Sequence, residues 1–196
     1  MGTHDLPAVI TKALEISGAA KLSYIGHSQG TTQMFYALSK NEEFYNDKIN
    51  LFIALGPVTN LANGKSALLT LLATLGVQYA LEFIGLYEMF PRGYLTNKIY
   101  SVACDVIPPI CSLGLFLIAD ENTKNDNLDR MPVMMAHFPS GSSLMSFIHY
   151  SQSITTKTFR EYDYGKKKNI EVYGQDPPPD IPLHNIKNTK YALFVG

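Results

Sequence analysis

The chain has 196 residues, of which 46% are hydrophobic and 17% charged, with a formal net charge of −1. A chain of that length and composition buries a sizeable core, which excludes intrinsic disorder. The near-neutral balance offers no electrostatic footprint for nucleic acid, and the only basic cluster, Lys166-Lys167-Lys168, reads as a solvated loop.

The first residues carry no basic n-region and no apolar h-region, so no signal peptide is read there. Asp5 is placed to cap a helix with Pro7 in its first turn. Leu6, Val9, Ile10, Ala13, Leu14 and Ile16 recur at helical spacing up to a stop at Ser17-Gly18. Lys21 to Ile25 reads as a short strand, and Thr31 to Leu38 as a helix with Met34, Phe35 and Leu38 on one face. Between them lies Gly26-His27-Ser28-Gln29-Gly30, a G-x-S-x-G pentapeptide at a strand-to-helix junction. A polar connection, Ser39 to Asn50, leads to Leu51-Phe52-Ile53-Ala54-Leu55, a continuous apolar run of the kind found in buried parallel strands, ended by Gly56-Pro57.

From Asn60 to about Ser153 the pattern turns helical and apolar, with segments at Ser66 to Leu75, Gln78 to Tyr87, Thr96 to Val106, Ser112 to Ala119 and Ser143 to Gln152. It reads as an inserted helical cap. Two stretches within it, Ala67 to Tyr87 and Ile99 to Ala119, approach the length of a membrane span. Gln78 and Glu82 interrupt the first, and Asp105 and Pro108-Pro109 the second, so no transmembrane helix is expected. Cys104 and Cys111 are consistent with a short disulfide loop or with two buried thiols. Their spacing, with no accompanying His pair, is poor for zinc, and no metal or cofactor is expected. The Pro-rich Asp176-Pro177-Pro178-Pro179-Asp180 reads as extended loop, and Tyr191 to Gly196 as a third buried strand.

The pentapeptide carries the chemistry. A nucleophile on a sharp turn between strand and helix is lifted above the carboxyl edge of the sheet, which makes Ser28 the candidate nucleophile. Gly26 and Gly30 are expected to avoid collisions with the neighbouring strand and helix. The Gln29 N–H, at the helix start, is one candidate oxyanion donor, favoured by the positive end of the helix dipole. A serine hydroxyl needs a histidine base oriented by an acid, following in the order Ser, Asp or Glu, His. His4 precedes the first helix and His27 lies inside the pentapeptide, pointing the wrong way relative to Ser28; none of the histidines follows a strand that also supplies an acid, so structural or surface roles are preferred for His137, His149 and His184.

Several segments, in order, resemble the acid lipase family, which includes gastric and lysosomal acid lipases. They are Asp5-Leu6-Pro7-Ala8, Gly26 to Thr32, Ala54-Leu55-Gly56-Pro57-Val58, His137 to Ser143, His149-Tyr150-Ser151-Gln152 and Tyr162-Asp163-Tyr164-Gly165. The resemblance implies an α/β-hydrolase fold with a few central parallel strands and an inserted, mostly helical cap. It divides the chain into a partial core at 1–58, a cap at 59–165, and a return loop with the next core strand at 166–196. It implies a lipase acting on triacylglycerols or sterol esters through an acyl-serine, secreted or lysosomal, with a mobile lid at Phe90 to Phe116 that meets a lipid interface. It also favours a Cys104–Cys111 disulfide. Family members are longer at both ends, with a second oxyanion donor upstream and the catalytic Asp and His downstream. The expectation is therefore a partial chain, inactive alone, whose acid and base lie beyond Gly196. The alternatives are a non-catalytic lipid-binding remnant and another serine hydrolase such as a thioesterase.

Overall fold

The computed structural model describes residues 1–64, 81, 83–89, 93–107, 109, 127–138 and 140–195. It divides into two compact units, Met1–Leu61 with Thr158–Gly196, and Ala62–Lys157.

The first unit opens with helix α1, Asp5–Ser17, which stops where Gly18 turns left-handed (φ 69) and returns its N–H to the Leu14 carbonyl. The capping residue is His4, with no side-chain cap bond, so Asp5 is no cap; it lies in the first turn, where its charge suits the helix dipole. Strand β1, Leu22–His27, runs into α2, Gln29–Asn46, and strand β2, Ile49–Leu55, follows. The segment expected as a polar connection is thus mostly helix. It bends at Asn41 (φ −155), whose side chain accepts the Phe44 N–H at 3.2 Å and so starts the helix afresh. This second stretch is retained by tertiary packing, with Tyr45 buried to 3%.

Strands β1 and β2 pair in parallel, and β5, Tyr191–Phe194, adds in parallel to the far side of β2, giving the order β1-β2-β5. Tyr24 and Gly26 lie opposite Phe52 and Ala54 in the register. This face of the sheet meets the apolar sides of α1 and α2: Leu6, Ile10, Met34, Phe35, Leu38, Phe52 and Ala54 form one buried cluster. The Phe35 ring stands edge-on to Phe52 with centroids 5.1 Å apart. The alternate residues Ile25, Ile53 and Ala192 make a row on the other face, where Ile25 is 64% exposed.

In the second unit, the two-residue strand β3, Glu88–Met89, pairs antiparallel with β4, Ser142–Ser143. Helix α3, Tyr94–Val106, packs on α4, Met131–Met135, through Cys104, Met131 and Met135, and Asn97 Nδ2 donates to the Ala136 carbonyl at 2.9 Å. Helix α5, Leu144–Thr156, is capped by Ser143, whose Oγ accepts the Met145 N–H, and it buries Leu144 and Ile148. The helical segments expected at Ser66 to Leu75 and Ser112 to Ala119 lie outside the described residues, as do residues 78–80 and 82 of the segment expected at Gln78 to Tyr87. Among the described residues no helix is long and apolar enough to cross a membrane.

The chain re-enters the first unit at Thr158, and α6, Lys166–Tyr173, follows. The three lysines therefore begin a helix and do not lie on a loop. The helix is fixed by Asn169, which is fully buried. Its amide donates to Asp163 at 2.7 Å and Asp176 at 2.8 Å, and its oxygen accepts the Tyr164 N–H. The Pro-rich segment after it is irregular, as expected.

Candidate active site

The parallel register puts His27, Leu55 and Phe194 in one row at the carboxyl edge of the sheet. Ser28 follows immediately, exposed, with φ 50 and ψ −114. For a residue with a side chain this is strained backbone, costing about 1–3 kcal/mol, and it persists only where the surroundings hold it. They hold it at both ends. The Ser28 N–H donates to the Leu55 carbonyl at 3.0 Å, and the Ser28 carbonyl accepts from Thr31 N–H at 2.9 Å and Thr32 N–H at 3.4 Å. The Thr31 hydroxyl gives that same carbonyl a shorter bond of 2.6 Å.

The two glycines of the pentapeptide differ. A Cβ on Gly26 would lie 2.9 Å from the Gly30 carbonyl carbon and 3.0 Å from its oxygen, so the first turn of α2 passes directly over Gly26. A Cβ on Gly30 would meet only the Tyr24 hydroxyl, at an ordinary 3.6 Å. The collision expected at Gly30 is therefore not found, because the crowding is backbone against the strand position. The Tyr24 hydroxyl donates to the Gly30 carbonyl at 3.0 Å, tying β1 to the start of α2. Burial pushes the Tyr24 phenol above its ordinary pKa, so it stays a neutral donor.

Gln29 is the first residue of α2, where the N–H groups of the opening turn have no intrahelical acceptor and the dipole is positive. Ser28, Gln29 and the carboxyl edge thus come together. Among the described residues of the first unit, no histidine is built into this arrangement. His27 is the exposed last residue of β1, and His4 precedes α1. His184 lies in the turn Leu183–Asn185; the neighbouring Asn185 bonds the Ser39 carbonyl, which is about 15 Å along α2 from Gln29 at 1.5 Å per residue. His137, just past α4, and His149, within α5, belong to the second unit. Cys104, 1% exposed, is disulfide-bonded, and Cys111 lies outside the described residues. Among the described residues no group of His, Cys, Asp or Glu is placed to hold a metal ion.

Sequence reasoning missed the clamp around the elbow. The Val58 N–H donates to Thr31 Oγ1 at 2.9 Å, and Thr32 Oγ1 donates to the Val58 carbonyl at 2.8 Å, so the loop after β2 is held by adjacent threonines. The available signal was the pair of hydroxyls directly after the pentapeptide.

A parallel sheet whose strand turns sharply through a strained serine into a helix defines the α/β-hydrolase class, and residues 1–83 match the family model described as alpha/beta hydrolase fold. Within that class the chain is similar to several lipases. It is 35% identical over 203 residues to lipase lipl-3 of Caenorhabditis elegans, covering 99% of this chain and 49% of the relative. It is 32% identical over 191 residues to the lysosomal acid lipase/cholesteryl ester hydrolase of Homo sapiens, covering 96% and 47%. It is 33% identical over 183 residues to the gastric triacylglycerol lipase of Homo sapiens, covering 91% and 45%. The chain spans about half the length of these curated relatives.

Proposed function

We propose that this chain carries the nucleophile half of a serine ester hydrolase acting on triacylglycerols or sterol esters. In this reading Ser28 Oγ attacks the acyl carbon while a histidine takes its proton. The ester oxygen leaves as the alcohol, carrying that proton, and water then releases the acyl group from Ser28. The Gln29 N–H is one donor to the tetrahedral oxyanion. The second donor, the acid and the base come from polypeptide outside residues 1–196, so the chain alone is inactive. Residues 59–165 form the cap, with a lid at Phe90 to Phe116 that meets the lipid interface and a Cys104–Cys111 disulfide, and the protein is secreted or lysosomal.

The observation that carries this reading is the Ser28 backbone, held in a strained conformation at the carboxyl edge beside the free end of α2. The β5 register supports it, because a residue shortly after Phe194 emerges on the same edge as Ser28. The test is fluorophosphonate labelling of the protein translated with its flanking reading frame, beside residues 1–196 alone. Labelling of the longer form that Ser28→Ala abolishes, with none of the shorter, is the expected result. A longer form that encodes no downstream Asp and His, or that is never labelled, favours the lipid-binding remnant. Hydrolysis of acyl thioesters in preference to oxygen esters favours a thioesterase.

A further inference from the structure

We infer that Thr31 is a positioning residue that aims the Gln29 oxyanion donor; the inference rests on the acyl-Ser28 reading above. The Ser28 carbonyl and the Gln29 N–H belong to one peptide plane, and in a trans peptide they point in opposite directions. Whatever fixes that carbonyl therefore fixes the donor. The Thr31 hydroxyl gives its single proton to the Ser28 carbonyl at 2.6 Å and receives the Val58 N–H at 2.9 Å. Its side chain has no solvent exposure, so water does not compete for either bond.

The relay runs from the loop after β2, through one hydroxyl, to the peptide that carries the oxyanion donor. Thr32 completes it by donating its hydroxyl to the Val58 carbonyl, which leaves the Val58 backbone little freedom to drift. Without the Thr31 hydroxyl, the Ser28–Gln29 peptide is held only by the two backbone N–H groups of the helix start, and the ψ of Ser28 is free to relax toward commoner values. The Gln29 N–H turns with it. A donor that stabilises charge only in the transition state then contributes less, which lowers kcat and leaves KM unchanged.

Two substitutions separate positioning from packing. Thr31→Val keeps the shape and removes the hydroxyl; Thr31→Ser keeps the hydroxyl and removes a buried methyl. In the protein translated with its flanking reading frame, Thr31→Val is expected to slow fluorophosphonate labelling and kcat by roughly tenfold or more with KM unchanged, a part of what losing a whole oxyanion donor costs. Thr31→Ser is expected to stay within about threefold although its melting temperature falls, since rate and packing are then uncoupled. Equal losses in both variants, or a slow serine and a fast valine variant, overturn the proposal. If Thr31→Val does not fold, Thr31→Ala takes its place against Thr31→Ser.

Amide exchange keeps the outcome independent of the functional reading. The Val58 N–H is expected to exchange at least tenfold faster in Thr31→Val than in wild type or Thr31→Ser, because its acceptor is gone. Unchanged Val58 exchange shows that the relay does not exist. A wild type that is never labelled but shows this exchange contrast shows instead that the clamp stands and the hydrolase reading fails.

Discussion

Gly26 and Gly30 stand symmetrically about Ser28 in the pentapeptide, yet they are glycine for different reasons. Gly26→Ala drives a Cβ into the backbone of α2, and an overpacked site of that kind costs about 1–3 kcal/mol. Gly30→Ala adds a Cβ that meets only the Tyr24 hydroxyl, at an ordinary contact distance near the start of a helix, so it is expected to leave stability unchanged or raise it by up to about 1 kcal/mol. Urea denaturation of the two variants checks the contrast, and equal losses would show that the elbow is not arranged this way. Glu42 is a second case in which one side chain decides a local structure. Its Oε1 accepts from the N–H groups of Lys187, Asn188 and Thr189 and from the Thr189 hydroxyl, fixing the entry to β5. Burial works to raise its pKa, but the Asn188 N–H, the Thr189 hydroxyl and the other amides outweigh it, so the carboxyl titrates below its ordinary 4.5. A depressed folded pKa gives a stabilisation that is complete above 4.5 and is lost as pH falls below it. Melting temperatures measured from pH 6 down to pH 3 should therefore fall less steeply in Glu42→Gln than in wild type.

At the level of elements, the strands were legible because short apolar runs bounded by Gly or Pro have few other uses. Leu51 to Leu55 and Tyr191 to Phe194 both fall in the parallel sheet, but β5, expected as a buried strand, is mostly exposed, because the buried cluster under the sheet stops at β2. Helices held by distant partners were not legible. Ser39 to Asn46 is polar apart from Phe44 and Tyr45, and the Asn41 cap and the burial of Tyr45 support its helix. Lys166 to Tyr173 places three positive charges at the positive end of its own dipole, an unfavourable start that Asn169 offsets through Asp163 and Asp176. Asn169→Ala leaves both carboxylates and the Tyr164 N–H without that partner. It should cost about 1–3 kcal/mol and make residues 163–176 the first to be cut in limited proteolysis. An unchanged cleavage pattern would show that α6 forms without this tether.

At the largest scale, the first unit's sheet is covered on one face at β1 and β2, while β5 is mostly exposed and the other face is open. Ile25 is 64% and Phe194 57% exposed on the open face, and the neighbouring Val195 is 79% exposed. The described sheet also ends in β1 and β5, each with a free edge. Apolar surface beside unpaired strand edges favours association, so residues 1–196 alone are expected to bind a hydrophobic dye and to sediment faster as concentration rises. Ile25→Lys with Phe194→Lys should weaken both effects. A monomer at every concentration that binds no dye would count against an open sheet face.

The sequence by itself determined the position of the candidate nucleophile, the strands around it and the resemblance to lipases, because these depend on short contiguous patterns: Gly26 to Gly30, the apolar runs and the motifs that follow one another in order. Only the tertiary structure decided which elbow glycine is crowded, how Ser28 is held in a strained conformation, and that Thr31 joins the loop after β2 to the Ser28 carbonyl. Each of these depends on atoms brought together by parallel strand pairing and helix packing. Spacing along the chain records which residues are neighbours in sequence, and it carries no measure of how closely their backbones pass once the sheet has formed.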